Sequence, residues 1–396
     1  MNTSSRIWRT IFTGTALWSG STTVIRSGWL SSITFRQGPQ VPQGFVEWGS
    51  VVRLAKSQSV LGVVGQAMLS DEEIASNMPQ EFRTKVKKFV MNNMLTHNLL
   101  NNTLIKVVST LREGGVESVL LKGQGLARNY PQPELRQCGD IELYVGLNNG
   151  EKAYELLSPI AVHADDKAYV TVGKHYHVTM PGGVEVEVHR YTDNHLTKKL
   201  EETYQAASDK GTSEGLVTYD FAGTPVNTPS DDFNAFFIFN HLFHHFLTSG
   251  IGLRQFCDWM MFLHTRKGKL DTDYLHKLLT DMELLGPWQA FGCVLADWLG
   301  MPEDEFPFFD RKQAGRVDKI VRRVLNEGNF GRERAIVKNR GTNYLLNKTR
   351  SFFGHTAKSI GLISIFPKPV WYQFKNTIVG GFAAVWADFR IKLKLN

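Results

Sequence analysis

Cys138-Gly139-Asp140-Ile141-Glu142-Leu143-Tyr144-Val145 is the stretch on which this chain's reading turns. From Asp140 to Val145 polar and apolar residues alternate, the period of a half-buried strand. Side chains two positions apart on a strand share a face, so Asp140 and Glu142 project to the same side. Two carboxylates that close repel each other unless a cation stands between them. A hard divalent ion with oxygen ligands, Mg²⁺ or Mn²⁺, meets that need. The plain alternative is a solvent-facing edge strand, because D-x-E also recurs by chance.

The neighbours on both sides favour the cation. Upstream, Ser118–Leu121 reads as a short apolar strand, and Lys122-Gly123-Gln124-Gly125 as a turn entering a short helix. Small residues in such a turn let backbone N–H groups approach a phosphate, and a helix N-terminus favours negative charge. Arg136 lies four residues before Asp140, within reach of the same place. Downstream, residues 175–180 and 184–189 read as two strands joined by the hairpin signal Pro181-Gly182-Gly183. The second of them puts Glu185, Glu187 and His189 on one face. A third carboxylate beside Asp140 and Glu142 would complete a two-metal site, which steadies the attacking and leaving oxygens of a displacement at phosphorus.

Around this unit the pattern is helical. Apolar residues recur at helical spacing from Trp48 to Leu69 and from Gln80 to Leu111, with Gly114-Gly115 as a stop. A helix is expected at 151–157. Ser230 reads as an N-cap for a Phe-rich helix, followed by helices near 254–265, 271–284, 288–299, 315–326 and 333–352. His241, His244 and His245 share a helix face at a spacing that zinc would accept, but no acidic partner or H-E-x-x-H pattern accompanies them, so a packed or polar-lined helix face is expected. The fold class is α+β: a small mixed sheet with extensive surrounding and C-terminal helices. The organisation reads as a basic peripheral extension (1–46), N-terminal helices (47–112), an α/β core (113–228), a helical region (229–365) and a basic aromatic tail (366–396).

Taken in order, Leu120-Leu121-Lys122-Gly123, Tyr130-Pro131, Arg136, Asp140-Ile141-Glu142-Leu143 and Val186-Glu187-Val188-His189 resemble the bacterial uncharacterised nucleotidyltransferase family, part of the polymerase-beta-like nucleotidyltransferase superfamily. The segments His175–Val178 and Gly252–Asp258 are similar to that family too, and the resemblance spans roughly residues 45–375. It implies transfer of a nucleoside monophosphate from an NTP, ATP first among them, to an unidentified acceptor with release of pyrophosphate. It assigns Asp140, Glu142 and Glu187 as catalytic and metal-binding residues for Mg²⁺ or Mn²⁺. It gives Lys122, Gly123, Gln124 and Arg136 to the nucleotide. Two departures stand out: Gln124 follows Gly123 where the superfamily carries Gly or Ser, and Glu142 stands where the family more often has Asp. They motivate an alternative, a catalytically weak nucleotide-binding or assembly module with a basic surface-binding tail.

Composition bounds these readings. The chain has 396 residues, 42% hydrophobic, and a formal net charge of +7. That length and apolar content support real cores and exclude global disorder. Cys138, Cys257 and Cys293 are too scattered for a disulfide framework, which points to a reducing, cytoplasmic setting. No run approaches the roughly 20 apolar residues of a membrane span. Residues 311–396 hold 18 Lys and Arg against 4 Asp and Glu, and residues 1–46 hold four Arg and no acid. Such basic ends suit peripheral contact with an anionic membrane or polymer, or a plain solvated surface.

Overall fold

The computed structural model describes residues 48–167, 170, 175–193, 197–328 and 362–372. The expected helix over 333–352 and nearly all of both basic ends lie outside them.

The chain enters through α1 (Trp48–Ser57) and α2 (Leu61–Ser70), followed by the short α3 (Glu72–Asn77), whose N-cap Asp71 accepts from the Ile74 N–H. One helix was expected across α1 and α2. It is broken at Ser59, which has a left-handed φ of 55°. The break serves tertiary structure. Gln58 is fully buried, its Oε1 accepts from the Leu253 N–H at 3.0 Å, and its carbonyl accepts from the Arg254 N–H at 3.2 Å. It thus satisfies two donors at the start of a helix far along the chain, which local periodicity does not register.

The next helix, α4 (Gln80–Glu113), has 34 residues and is about 51 Å long at the standard rise. Its N-terminal half gives Val86 and Val90 to a helical core. Its C-terminal half gives Leu100, Leu104, Val107, Val108 and Leu111 to a second core under the sheet. It ends at Gly114, and Gly115 takes a positive φ of 71°, a conformation glycine adopts at little cost.

The sheet follows: β1 (Val119–Leu120), β2 (Asp140–Tyr144), β3 (His163–Ala164), β4 (His175–Met180), β5 (Val184–His189), β6 (Val217–Phe221) and β7 (Thr224–Thr228). Between them lie α5 (Gln124–Ala127), α6 (Gly150–Leu157) and α7 (Lys198–Gly211). The spatial order is β3-β4-β5-β2-β1-β7-β6. β2 pairs parallel with β5 and antiparallel with β1, and β1 pairs parallel with β7, so the sheet is mixed. The alternation in β2, β4 and β5 sorts residues by face. Ile141, Leu143, Tyr176, Val178, Val186 and Val188 are buried in the core shared with α4. Asp140, Glu142, Glu185, Glu187, His175 and His177 lie half-buried on the opposite face.

Strands β3, β6 and β7 and helix α7 were not foreseen. The β6–β7 hairpin turns at Ala222-Gly223, both with positive φ, a turn without the usual Asn-Gly or Asp-Gly signal. Pro225 within β7 also argues against a strand by its sequence. It is tolerated because β7 meets β1 only at Val119↔Asn227, away from the proline.

Beyond the sheet come α8 (Asp231–Leu247), α9 (Leu253–Thr265), α10 (Thr272–Asp281), α11 (Leu285–Leu299) and α12 (Val317–Glu327). The Phe-rich face of α8 is core: Phe239 lies 4.9 Å from Trp259 and 5.2 Å from Trp288 between ring centroids. Such aromatic pairs add to the burial of large apolar surfaces. Phe366, at the head of the basic tail, is buried 5.1 Å from Phe243. Among the described residues no helix is long and apolar enough to cross a membrane.

Candidate active site

Pairing of β2, β5 and β4 arranges the polar face in cross-strand rows. Glu142 stands opposite Glu187, and Glu187 opposite His177. One row over, Asp140 stands opposite Glu185 and Glu185 opposite Thr179. Tyr144, His189 and His175 form the third. Neighbouring strands lie about 4.8 Å apart, so the three carboxylates named from the sequence occupy one small patch.

Lys122 follows β1 directly, and its ammonium reaches across to this patch. Nζ lies 2.6 Å from Oε2 of Glu142 and 2.8 Å from Nε2 of His241 on α8. Gly123 then turns the chain with φ 58° and ψ −119°, a combination that side chains resist. A Cβ there would sit 3.2 Å from the Asp140 carbonyl, so a bare backbone is required where the turn crosses β2. The helix after it, α5, has only four residues and hence little dipole to offer an anion. Gln124 is fully buried and does not line the cleft. What this turn presents to the cleft is the Lys122 side chain and the backbone of Gly123.

Arg136 borders the same cleft as Asp140, as its place in the sequence suggests, but its guanidinium is committed to a partner that the sequence does not signal. It is buried, and its guanidinium is forked onto Asp258 of α9: Nε donates to Oδ1 and Nη2 to Oδ2, each at 2.7 Å. Its Nη1 donates to Cys138 Sγ at 2.8 Å, and Tyr130 Oη donates to Asp258 Oδ1 at 2.8 Å. Burial opposes a charge on Arg136, but Asp258 outweighs it and holds the guanidinium protonated. The arginine thus anchors the segment entering β2 rather than presenting its fork to solvent. Asp258 lies in the segment Gly252–Asp258 noted in the sequence, yet its partner is far along the chain and no local pattern links them.

Arg254 is the second arginine at the cleft, half-buried where Arg136 is buried. It lines the same cleft as Asp140, donates from Nη1 to the Gln137 carbonyl at 2.9 Å, and acts on the Asp140 carboxylate through its charge. The cleft has about 210 Å³ of free volume, and Lys122, Gly123, Asp140, Glu142, His241 and Arg254 are among its walls. His241 thus lies on a polar-lined stretch of its helix, whereas His245 bonds Ser249 at 2.6 Å. His241, His244 and His245 do not converge on a common metal position.

The electrostatics of the carboxylates diverge. Burial raises the Asp140 carboxyl, the charges of Glu142 and Glu187 raise it further, and Lys122 and Arg254 only partly offset them. Burial also acts to raise Glu187. The hydrogen bond from His189 and the charges of His189, His175 and His177 overcome it and bring that carboxyl down to about 2. Asp140 is thus held above the usual carboxylate range and Glu187 below it.

No curated protein matches the chain. A solved structure, an antigenic nucleotidyltransferase-like protein from Paracoccidioides brasiliensis, matches at 13% identity over 51% of this chain and 92% of its own, with a TM-score of 0.30. The profile of the family described as uncharacterised nucleotidyltransferase matches residues 45–300, more than half of the chain, and spans the sheet, the cleft and the helices that close it. The chain belongs to the uncharacterised nucleotidyltransferase family.

Proposed function

We propose that this protein transfers the nucleoside monophosphate of an NTP, with ATP the first candidate, to a nucleophilic acceptor and releases pyrophosphate. The observation that carries the reading is the pair Asp140 and Glu142 in a cleft that also presents Lys122 and Arg254, with Glu187 paired across from Glu142 on the neighbouring strand. The donor set is all oxygen and negatively charged, and burial together with the charges of Glu142 and Glu187 raises the Asp140 carboxyl. These residues fit a hard divalent cation. Mg²⁺ or Mn²⁺ held by Asp140, Glu142 and Glu187 would neutralise charge on the phosphate oxygens during in-line displacement.

The chain's own residues supply the rest. Lys122 and Arg254 draw the triphosphate into the cleft, and bare backbone at Gly123 allows its close approach. Arg136, locked on Asp258, holds the Gln137–Gly139 segment so that Asp140 enters β2 at a set angle. Glu187 stays ionised to about pH 2, which suits a ligand better than a base. On the same reading the basic residues after 372 would meet an anionic membrane or polymer, which liposome flotation of full-length and tail-deleted protein checks.

The test is mass spectrometry of the protein and its co-purified small molecules after incubation with α-labelled ATP and Mg²⁺. A nucleotidyl adduct on the chain or on a bound molecule, absent in EDTA, is the expected result. ATP recovered intact with every NTP and both metals would overturn the reading.

A further inference from the structure

The face that carries the carboxylates also carries three imidazoles the transfer reading does not use. His175 and His177 lie on β4, and Glu187 and His189 beside them on β5. One ligand atom each from His175, His177 and Glu187 can be chosen so that all lie within 4.8 Å of one another. The rings of His175 and His177 are 5.1 Å apart and those of His175 and His189 4.9 Å. His177 Nδ1 stands 3.8 Å from Glu187 Oε1. The other carboxylate oxygen is already held: His189 Nε2 lies 3.2 Å from Oε2, and in the tautomer with its proton there it donates to it. His189 is buried, whereas His177 is 43% exposed, so the cluster is braced from inside and open to solvent outside.

We propose that His175, His177 and Glu187 form a site for a borderline-soft divalent transition ion, of which Zn²⁺ is the representative, distinct by its imidazole nitrogens from the oxygen-only site of Asp140, Glu142 and Glu187, with which it shares Glu187. Two imidazoles and one carboxylate form a donor set that Zn²⁺ and non-haem iron use, with positions left for water or substrate. Mg²⁺ prefers oxygen and retains water, so the two ions sort by ligand type. Metal–nitrogen and metal–oxygen bonds of about 2.0–2.1 Å place tetrahedral ligands roughly 3.4 Å apart. The 3.8 Å between His177 Nδ1 and Glu187 Oε1 is within about half an ångström of that separation. His189 fills the outer role common in such sites, fixing the carboxylate through one oxygen while the other faces the ion. Glu187 belongs to both patches, so the transition ion sits next to the reacting phosphate and is placed to bind the acceptor.

The test uses metal-stripped full-length protein without an affinity tag, titrated with Co²⁺ as a visible-band stand-in for Zn²⁺. One equivalent should bind with an imidazole-ligated spectrum, and Zn²⁺ should displace it while Mg²⁺ should not. His177→Gln, at an exposed position that tolerates change, should weaken Co²⁺ at least about tenfold, and His175→Ala should do the same. Asp140→Asn should leave Co²⁺ binding unchanged, which separates this site from the transfer site. Unchanged affinity in His177→Gln, or loss of the Co²⁺ band in Asp140→Asn, would overturn the assignment, whichever way the transfer assay falls.

Discussion

The Lys122 ammonium lies 2.6 Å from Oε2 of Glu142, and the two side chains are only 13% and 14% exposed. In the absence of a divalent ion, this lysine is the nearest compensation for the carboxylate row. Replacing it by Gln leaves Glu142 a largely buried, uncompensated charge. Lys122→Gln should cost about 1–3 kcal/mol of stability in EDTA. Added Mg²⁺ should restore part of that loss, because it answers the same charge. Thermal denaturation with and without Mg²⁺ reads both effects, and equal melting temperatures for the variant in the two conditions would argue against a cation at Glu142.

Arg136 and Asp258 form the buried fork that ties the sheet to α9. Lysine keeps the charge but cannot make two parallel bonds. Arg136→Lys should therefore lower stability by several kcal/mol, on the order of 3. A phosphate-binding arginine would behave otherwise, losing nucleotide affinity while the melting temperature held. Measuring both quantities on one variant separates the two roles.

Gly123 tolerates no side chain at φ 58° and ψ −119°, and a Cβ would press on the Asp140 carbonyl at 3.2 Å. Gly123→Ala should cost about 1–3 kcal/mol through backbone strain. It should also shift Asp140, so metal affinity should fall with stability. Chemical denaturation together with Mn²⁺ titration would show whether the two losses coincide.

His245 lies behind the cleft. Burial lowers its pKa to about 4, with Lys122 and His244 adding repulsion. A histidine with a lowered folded pKa is protonated first in the unfolded chain. Its contribution to stability is therefore present above about pH 6.5 and is lost as pH falls from there to about 4. The loss should reach roughly 3 kcal/mol at most. His245→Gln should flatten the slope of stability against pH in that window. An unchanged slope would show that other groups govern it.

The carboxylate strands were legible because their period of two is local: Asp140–Tyr144 and Val184–His189 declare both strand and face in five or six residues. The register that sets Glu142 against Glu187 was not legible, since it depends on pairing across more than forty residues. Neither was the fate of Arg136, whose sequence neighbourhood near Asp140 gives no sign of Asp258. The break at Ser59 and the β6–β7 hairpin have the same cause. Gln58 bonds far along the chain, and Ala222-Gly223 turns without a standard turn signal. Tertiary contacts overrode local pattern at each of these places.

Asp140→Asn puts the central claim at most direct risk. Asn is nearly isosteric, so packing at residue 140 survives, while one negative charge leaves a patch where Glu142 and Glu187 already raise the Asp140 carboxyl. The measurement is pyrophosphate release from NTP with Mg²⁺, taken alongside the metal-free melting temperature of the same sample. The expected result is a rate lower by about a hundredfold or more, ~3 kcal/mol in the barrier, with a melting temperature level with or above that of the parent. Release at a near-parental rate would contradict the assignment of Asp140 as a cation ligand for nucleotidyl transfer.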